Sequence, residues 1–367
     1  MTSDRPLSVV LAGGGTAGHV EPALAVADAL RRRDSRVRVT ALGTATGLET
    51  TLVPARGYSL ELIPRVPLPR RPSKDWVTLG PRLARSVSAA GRVLRSVSAD
   101  VVVGFGGYVS LPAYLAARRM KVPIVVHEAN ARPGVANRIG ARLTQWVAVS
   151  SEDTVLPHAT VTGLPLRRSI SSLDRSTTRR GAREHFGLEP DRMTLLVFGG
   201  SQGAERINNA LSGAARGLLD AGVQVLHAAG RGNDVTVDRR DGDPPYVVVP
   251  YLEDMHLAYA AADLVVSRSG AMTCAELAAV GLPAVFVPYP WSNGEQEVNA
   301  LPLVRRGAAQ LVPDADLTAA RALEVLVPLL TDPAALRRRA DAATEIGLPD
   351  ADERVVDLVL RAARERQ

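Results

Sequence analysis

Short apolar runs recur along this chain, each ending in a cluster of glycine and polar residues and each followed by a stretch with apolar positions three or four apart. The first run, Val9, Val10, Leu11 and Ala12, leads into Gly13-Gly14-Gly15-Thr16-Ala17-Gly18 and then into Leu24, Ala27 and Leu30. Its length is that of a buried strand, and the spacing after it is that of a helix. The same alternation predicts strands at 37–42, 99–103, 122–127 and 146–150. A polar segment at 168–190 interrupts it. The pattern restarts with a strand at 195–198, the turn Gly199-Gly200-Ser201-Gln202-Gly203 and a helix at 207–219, and continues with strands at 223–227, 246–249, 264–267 and 284–287.

Strands that alternate with helices make parallel sheets covered on both faces, so the fold class is α/β. The restart predicts two Rossmann-like domains facing a central cleft. The first spans 1–164, with a C-terminal helix at 346–367 packing back on it, and the second spans 165–345. Ligands of such sheets bind beyond the carboxyl ends of the strands, where the glycine clusters fall. A helix start carries unpaired N–H groups and partial positive charge, so the first turn is expected to offer donors to an anion, with His19 and Glu21 at its mouth.

Composition narrows the class. A chain of 367 residues with 46% hydrophobic and 22% charged content is globular and large enough for two cores. The formal charge of +6 comes almost wholly from arginine, with lysine only at positions 74 and 121, and no nucleic-acid-binding signature accompanies it. No stretch reads as a signal peptide or reaches the roughly 18 apolar residues of a spanning helix. Cys274 is the single cysteine, which excludes a disulfide framework and a cysteine metal site and suits the cytoplasm.

The first turn matches G-x-G-x-x-G at Gly13, Gly15 and Gly18, but the second strand ends in Leu42-Gly43-Thr44 without the acid that would hold a dinucleotide ribose. The stretch 265–300 says more. A strand delivers Ser267-Arg268-Ser269-Gly270 to a helix start, a place for a diphosphate. Glu276 follows among Ala275, Leu277, Ala278 and Ala279, an apolar setting in which a ribose diol would supply the donors a carboxylate needs. The other reading of Glu276 is a salt bridge on a solvated helix face.

The runs GGGTAGHVEPAL, GFGGYVSLPA, HEANARPG, GGSQGAERIN and SRSGAMTCAELAAVGLP occur in order over nearly the whole length. With them the chain resembles the MurG family of bacterial UDP-N-acetylglucosamine:lipid I N-acetylglucosaminyltransferases, inverting enzymes of the GT-B fold. The resemblance implies that the C-terminal domain holds the donor UDP-GlcNAc, through Ser201, Gln202 and Gly203 with Arg167 and Arg268 at the diphosphate. Ser269, Gly270 and Ala271 would assist at the helix start, Glu276 would hold the ribose, and the backbone around Leu252 would read the uracil. Thr16, Gly18 and Asn130 are implied to reach the donor from the other domain. Glu295 and Gln296 stand where the family usually has two glutamines for the donor sugar, and only Gln296 matches. The acceptor, lipid I, would meet Gly14, Gly15, Thr16, Tyr108, His127, Glu128 and Asn130; Ala129 replaces a common glutamine in that motif.

A base must take the proton of the muramyl 4-hydroxyl. His19 is the first candidate, because a helix N-terminus keeps the imidazole neutral; Glu128 is the reserve. The resemblance implies that N–H groups and arginine assist UDP departure with no metal and no cofactor. Accordingly, Asp241-Gly242-Asp243, Asp314-Ala315-Asp316 and Asp350-Ala351-Asp352 read as solvated acids away from the glycine motifs. Arg65, Arg70, Arg71, Lys74, Arg82, Arg85, Arg92 and Arg95, mixed with Leu68, Trp76, Leu79 and Leu83, suit peripheral contact with the cytoplasmic side of the cell membrane. Leu83, Val87, Leu94 and Val97 can equally form the inner face of a sheet-packing helix. Partners would be UDP-GlcNAc, lipid I, the inner membrane face and cell-wall synthesis proteins, with no nucleic acid. The alternatives are a related transferase acting on another acceptor in antibiotic biosynthesis or self-resistance, and a silent scaffold lacking site residues.

Overall fold

The aliphatic runs form strands, as their lack of polar positions requires. The computed structural model describes residues 5–66, 75–200 and 202–365. In the first sheet β1 is Ser8–Gly13, β2 Arg38–Gly43, β3 Ser59–Leu62, β4 Val101–Gly106, β5 Ile124–Glu128, β6 Trp146–Val149 and β7 Ala159–Val161. In the second, β8 is Thr194–Phe198, β9 Gln224–Ala228, β10 Tyr246–Val249, β11 Leu264–Ser267, β12 Ala284–Phe286 and β13 Ala309–Leu311. The strand orders are β3-β2-β1-β4-β5-β6-β7 and β10-β9-β8-β11-β12-β13, and every pairing is parallel. Strands β3, β7 and β13 are absent from the sequence reading. They are edge strands of three or four residues with little fully buried surface, so no apolar run marks them.

The chain divides into two compact units, Met1–Arg167 with Pro349–Gln367, and Arg168–Leu348. In each, chain order reverses once across the sheet, between β1 and β4 and between β8 and β11. These switch points open a crevice beyond the strand ends, and each carries a glycine turn.

In the first unit, helix Ala17–Arg33 buries Val20, Ala23, Leu24 and Ala27 against one face of the sheet. Helix Ala351–Arg364 closes the same core with Val355, Val356, Leu358 and Val359, and its Asp352 and Glu353 pair with Arg32. Helix Asp75–Ser96 buries Ala90, Val93 and Leu94 on the opposite face, with Val87 and Val97 partly buried. Its Arg82, Arg85, Arg92 and Arg95 are exposed. Leu68, Arg70, Arg71, Lys74 and the side chain of Trp76 lie outside the described residues.

The second unit contains a buried guanidinium. Arg183, 2% exposed, donates to the carbonyls of Ala261 and Pro190 and to Asp263, which also accepts from Thr194 N–H and pairs with Arg179. Replacing Arg183 by Leu leaves two carbonyls and part of a carboxylate unsatisfied. We expect Arg183→Leu to lower stability by about 3 kcal/mol, read as a shift in the urea midpoint.

Candidate functional site

The glycine turn after β1 is held by three neighbours. The Gly15 N–H, which precedes the helix start, donates to Glu49 Oε2 at 2.8 Å. His19 stands at the start of helix Ala17–Arg33 with Nδ1 3.2 Å from the Gly14 carbonyl and 3.3 Å from the Thr16 hydroxyl. A carbonyl only accepts, so Nδ1 carries the proton and Nε2 keeps its lone pair. Burial pulls the His19 pKa below its ordinary value, against the raising effects of the Gly14 bond and the Glu49 charge. Nε2 faces Gly106 at the end of β4, where an added Cβ would come within 3.0 Å of it. Ser110 fixes that second turn by accepting from Gly106 N–H and reaching the Ala12 carbonyl.

Tyr108 is exposed beside Gly15, with the Arg65 guanidinium 4.3 Å from its ring centroid. Thr16 is exposed and Gly18 half-buried at the same helix start. Glu128 ends β5 with 3% exposure and accepts from the N–H groups of Asn130 and Gly134 and from Asn137 Nδ2, each at 3.0 Å. Burial raises its pKa against these bonds. The bonds make Glu128 the peg of its loop, a different task from abstracting a substrate proton. His127 requires a correction as an acceptor contact, because it has no exposed surface and its Nε2–H is spent on the Gly163 carbonyl at 3.0 Å.

In the second unit the crevice at β8 and β11 is a pocket of 890 Å³. It is lined by the Gly199, Gly200 and Gly203 backbone, Arg268, Gln296 and Trp291 among others. Gly270 precedes helix Ala271–Ala279, whose first intrahelical bond is Cys274 N–H to the Gly270 carbonyl, which leaves the N–H groups of the first turn pointing outward. Glu276, half-buried in that helix, accepts from the Tyr259 hydroxyl at 2.7 Å. Gln296 lines the pocket and accepts from Tyr289 N–H at 2.9 Å, whereas Glu295 is not part of the lining. Leu252 and Ser269 are buried, and the Ser269 hydroxyl donates to the Gln296 carbonyl. Gln202 is exposed, with Asn233 donating to its carbonyl. Ser201 lies outside the described residues.

Both arginines expected at the diphosphate have carboxylate partners. Arg268 donates to Asp314 at 2.5 Å and to the Val287 carbonyl at 2.9 Å. Arg167, in the first unit, grips both oxygens of Glu21 at 2.6 and 2.8 Å. The acidic pairs are also corrected. Asp314 lines the pocket, Asp243 pairs with Arg216, and Asp350 and Asp352 pair with Arg354 and Arg32, so each pair has an engaged acid and the last has two.

Sequence reasoning missed Glu49, Ser110, Asn137 and Tyr259. It also passed over the buried network in which His227 bridges Tyr246 and Asn208 while Asn208 donates to the Ala229 carbonyl. The one available signal was Glu49 standing within seven residues of Gly43 and Gly47.

Two parallel α/β units, one with a helix start and a pocket of 890 Å³ at its switch point, define the GT-B class of fold. Residues 9–149 match the family model of the glycosyltransferase family 28 N-terminal domain, and residues 194–355 that of its C-terminal domain. A Mycolicibacterium smegmatis protein named UDP-N-acetylglucosamine--N-acetylmuramyl-(pentapeptide) pyrophosphoryl-undecaprenol N-acetylglucosamine transferase is 58% identical over 99% of this chain and 96% of its own. A Streptomyces coelicolor protein of the same name is 55% identical over 98% of this chain and 99% of its own. The crystal structure of Acinetobacter baumannii MurG matches with a TM-score of 0.79 at 29% identity, over 97% of this chain and 100% of that one. The chain belongs to glycosyltransferase family 28.

The close approach of the two turns in the first unit is testable. Gly107 has φ +78°, and an added Cβ would run into the Gly14 carbonyl. We expect Gly107→Ala to cost about 2 kcal/mol or more and to abolish transfer. Gly57, at φ +72° with open space around it, serves as control, and Gly57→Ala costs about 1 kcal/mol.

Burial pushes His127 and His227 down to about 4, below the 6.5 of a free imidazole. The unfolded chain therefore binds more protons between these values, so stability falls as pH drops from 6.5 to 4. The loss is on the order of 3 kcal/mol per histidine. Urea titrations across that range should show the loss, with a shallower slope in His127→Gln.

Proposed function

We propose that the chain moves N-acetylglucosamine from UDP-GlcNAc to the muramyl 4-hydroxyl of lipid I with inversion, giving lipid II for peptidoglycan synthesis. The observation that carries this reading is the likeness, over nearly the full length, to relatives that bear this transferase's name. It favours lipid I over an acceptor in antibiotic biosynthesis.

In this reading the diphosphate and sugar of the donor lie in the pocket of the second unit, and its nucleoside extends past the lining toward Glu276 and Leu252. The diphosphate meets the Gly199–Gly203 turn and the first N–H groups of helix Ala271–Ala279, which stabilise the charge that develops on UDP. Glu276 takes the ribose hydroxyls, Gln296 the sugar, and the backbone near Leu252 the uracil. The acceptor lies against Gly14, Gly15, Thr16, Tyr108 and Asn130 in the first unit. His19 Nε2 removes the 4-hydroxyl proton as that oxygen attacks the anomeric carbon from the face opposite UDP. Arg268, whose charge is shared with Asp314, acts on the donor by shaping the pocket wall.

The protein works peripherally at the inner face of the cytoplasmic membrane, next to other cell-wall synthesis proteins. The exposed arginines of helix Asp75–Ser96 support that location. Among the described residues no helix is long and apolar enough to cross a membrane.

The test is UDP release with a lipid I analogue, comparing UDP-GlcNAc with UDP-glucose, with and without chelator. We expect turnover with the N-acetyl sugar that is indifferent to chelator. His19→Ala should lower kcat by about 10²- to 10⁴-fold with donor binding retained. Donor binding without turnover on lipid I would contradict the reading.

A further inference from the structure

Glu49 begins the helix Glu49–Ala55 after β2, yet its side chain has no exposed surface. Oε2 accepts from Gly15 N–H at 2.8 Å, and Oε1 accepts from Thr44 N–H at 2.7 Å and from the Thr44 hydroxyl at 3.1 Å. A Cβ on Gly14 would come within 2.7 Å of Oε1, and one on Gly43 or Gly47 would overlap the side chain. Glycines from two turns thus make room for a carboxylate, and it fills the space they leave. Burial pushes its pKa up, but the bonds from Gly15 and Thr44 outweigh this and hold it below the usual carboxylate range. It is therefore ionised at neutral pH, with N–H and O–H donors satisfying the charge.

The peptide that Glu49 grips also bears on His19. Gly15 N–H and the Gly14 carbonyl belong to one peptide group, and the chain has no cis bonds, so the two point in opposite directions. The N–H points to Glu49 and the C=O accepts from His19 Nδ1. A carboxylate that draws on the N–H makes the carbonyl a stronger acceptor, because hydrogen bonds in a chain polarise one another.

We infer that Glu49, the Gly14–Gly15 peptide and His19 form a relay in which Glu49 is a positioning residue that fixes the Nδ1–H tautomer and leaves Nε2 free to accept a proton. Glu49 does for this histidine, through one peptide group, what a carboxylate does in direct contact elsewhere. The relay's catalytic meaning rests on the proposed role of His19, but its geometry does not. Among the described residues, Glu128 is held by Asn137, whose amide lies across Gly106 from the ring, and Arg65 stacks over Tyr108 beside Gly15.

The experiment follows the His19 imidazole of the full-length protein by nitrogen-15 NMR. In the wild type we expect the neutral Nδ1–H tautomer, and an Nε2–H tautomer there overturns the relay without any variant. Glu49→Gln keeps the shape but turns an amide donor toward one of the N–H groups. We expect it to populate the other tautomer, to lower the imidazolium pKa and shift the acidic limb of the rate profile to lower pH. Its kcat should fall by about tenfold to a hundredfold, less than when the carboxylate touches the histidine. UDP binding, which belongs to the second unit, should stay unchanged. A folded variant with the wild-type tautomer and pKa reduces Glu49 to a loop support and overturns the proposal. Full activity of His19→Ala would instead remove the base assignment while the tautomer still decides the relay.

Discussion

The site of the first unit depends on an ionised carboxylate beneath a glycine turn. Without Glu49, the Gly14–Gly15 peptide would have no fixed plane, and His19 would lose the carbonyl that sets its tautomer. Glu128 repeats the device under the loop after β5, where it gathers two backbone N–H groups and the Asn137 amide. Buried charge of this kind is costly, and it persists because hydrogen-bond donors surround it. The outcome is a pair of rigid loops at the β1 and β5 strand ends, where substrate binding requires little reordering.

The second unit solves the same problem with neutral groups and with one carboxylate, Asp314, shared by Arg268 and Arg206. His227 donates through Nε2 to Asn208, accepts from the Tyr246 hydroxyl, and leaves Asn208 to hold the Ala229 carbonyl behind the Gly199–Gly203 turn. Arg268 is clamped by Asp314, so the pocket's charge is balanced before a diphosphate arrives. Attraction for the donor then falls to oriented N–H dipoles at the helix start, which suit a leaving group that must also be released.

The sequence made the central elements legible because buried strands and amphipathic helices leave periodic marks, as in 9–30 and 195–219. It could not reveal β3, β7 and β13, edge strands of three or four residues that are too short to set a period. Glu49 was hidden for another reason. A glutamate at a helix start reads as a solvated first-turn acid, and its partner Gly15 N–H, 34 positions away, has no sequence signature. Charges at strand ends were visible at Arg167 and Arg268, but their partners, Glu21 and Asp314, stand 146 and 46 positions away. The family resemblance made His127 a ligand contact, yet β5 continues through Glu128 and carries the ring into the core.

The central claim is a single displacement at the anomeric carbon, with an imidazole base on one side and UDP leaving on the other. The most direct measurement is the anomeric configuration of the new bond, read from the proton coupling of the transferred sugar in a product made from UDP-GlcNAc. The account predicts a β-linked product from the α-linked donor. An α-linked product would contradict it, because retention needs either two displacements or front-face attack, and His19 supports neither.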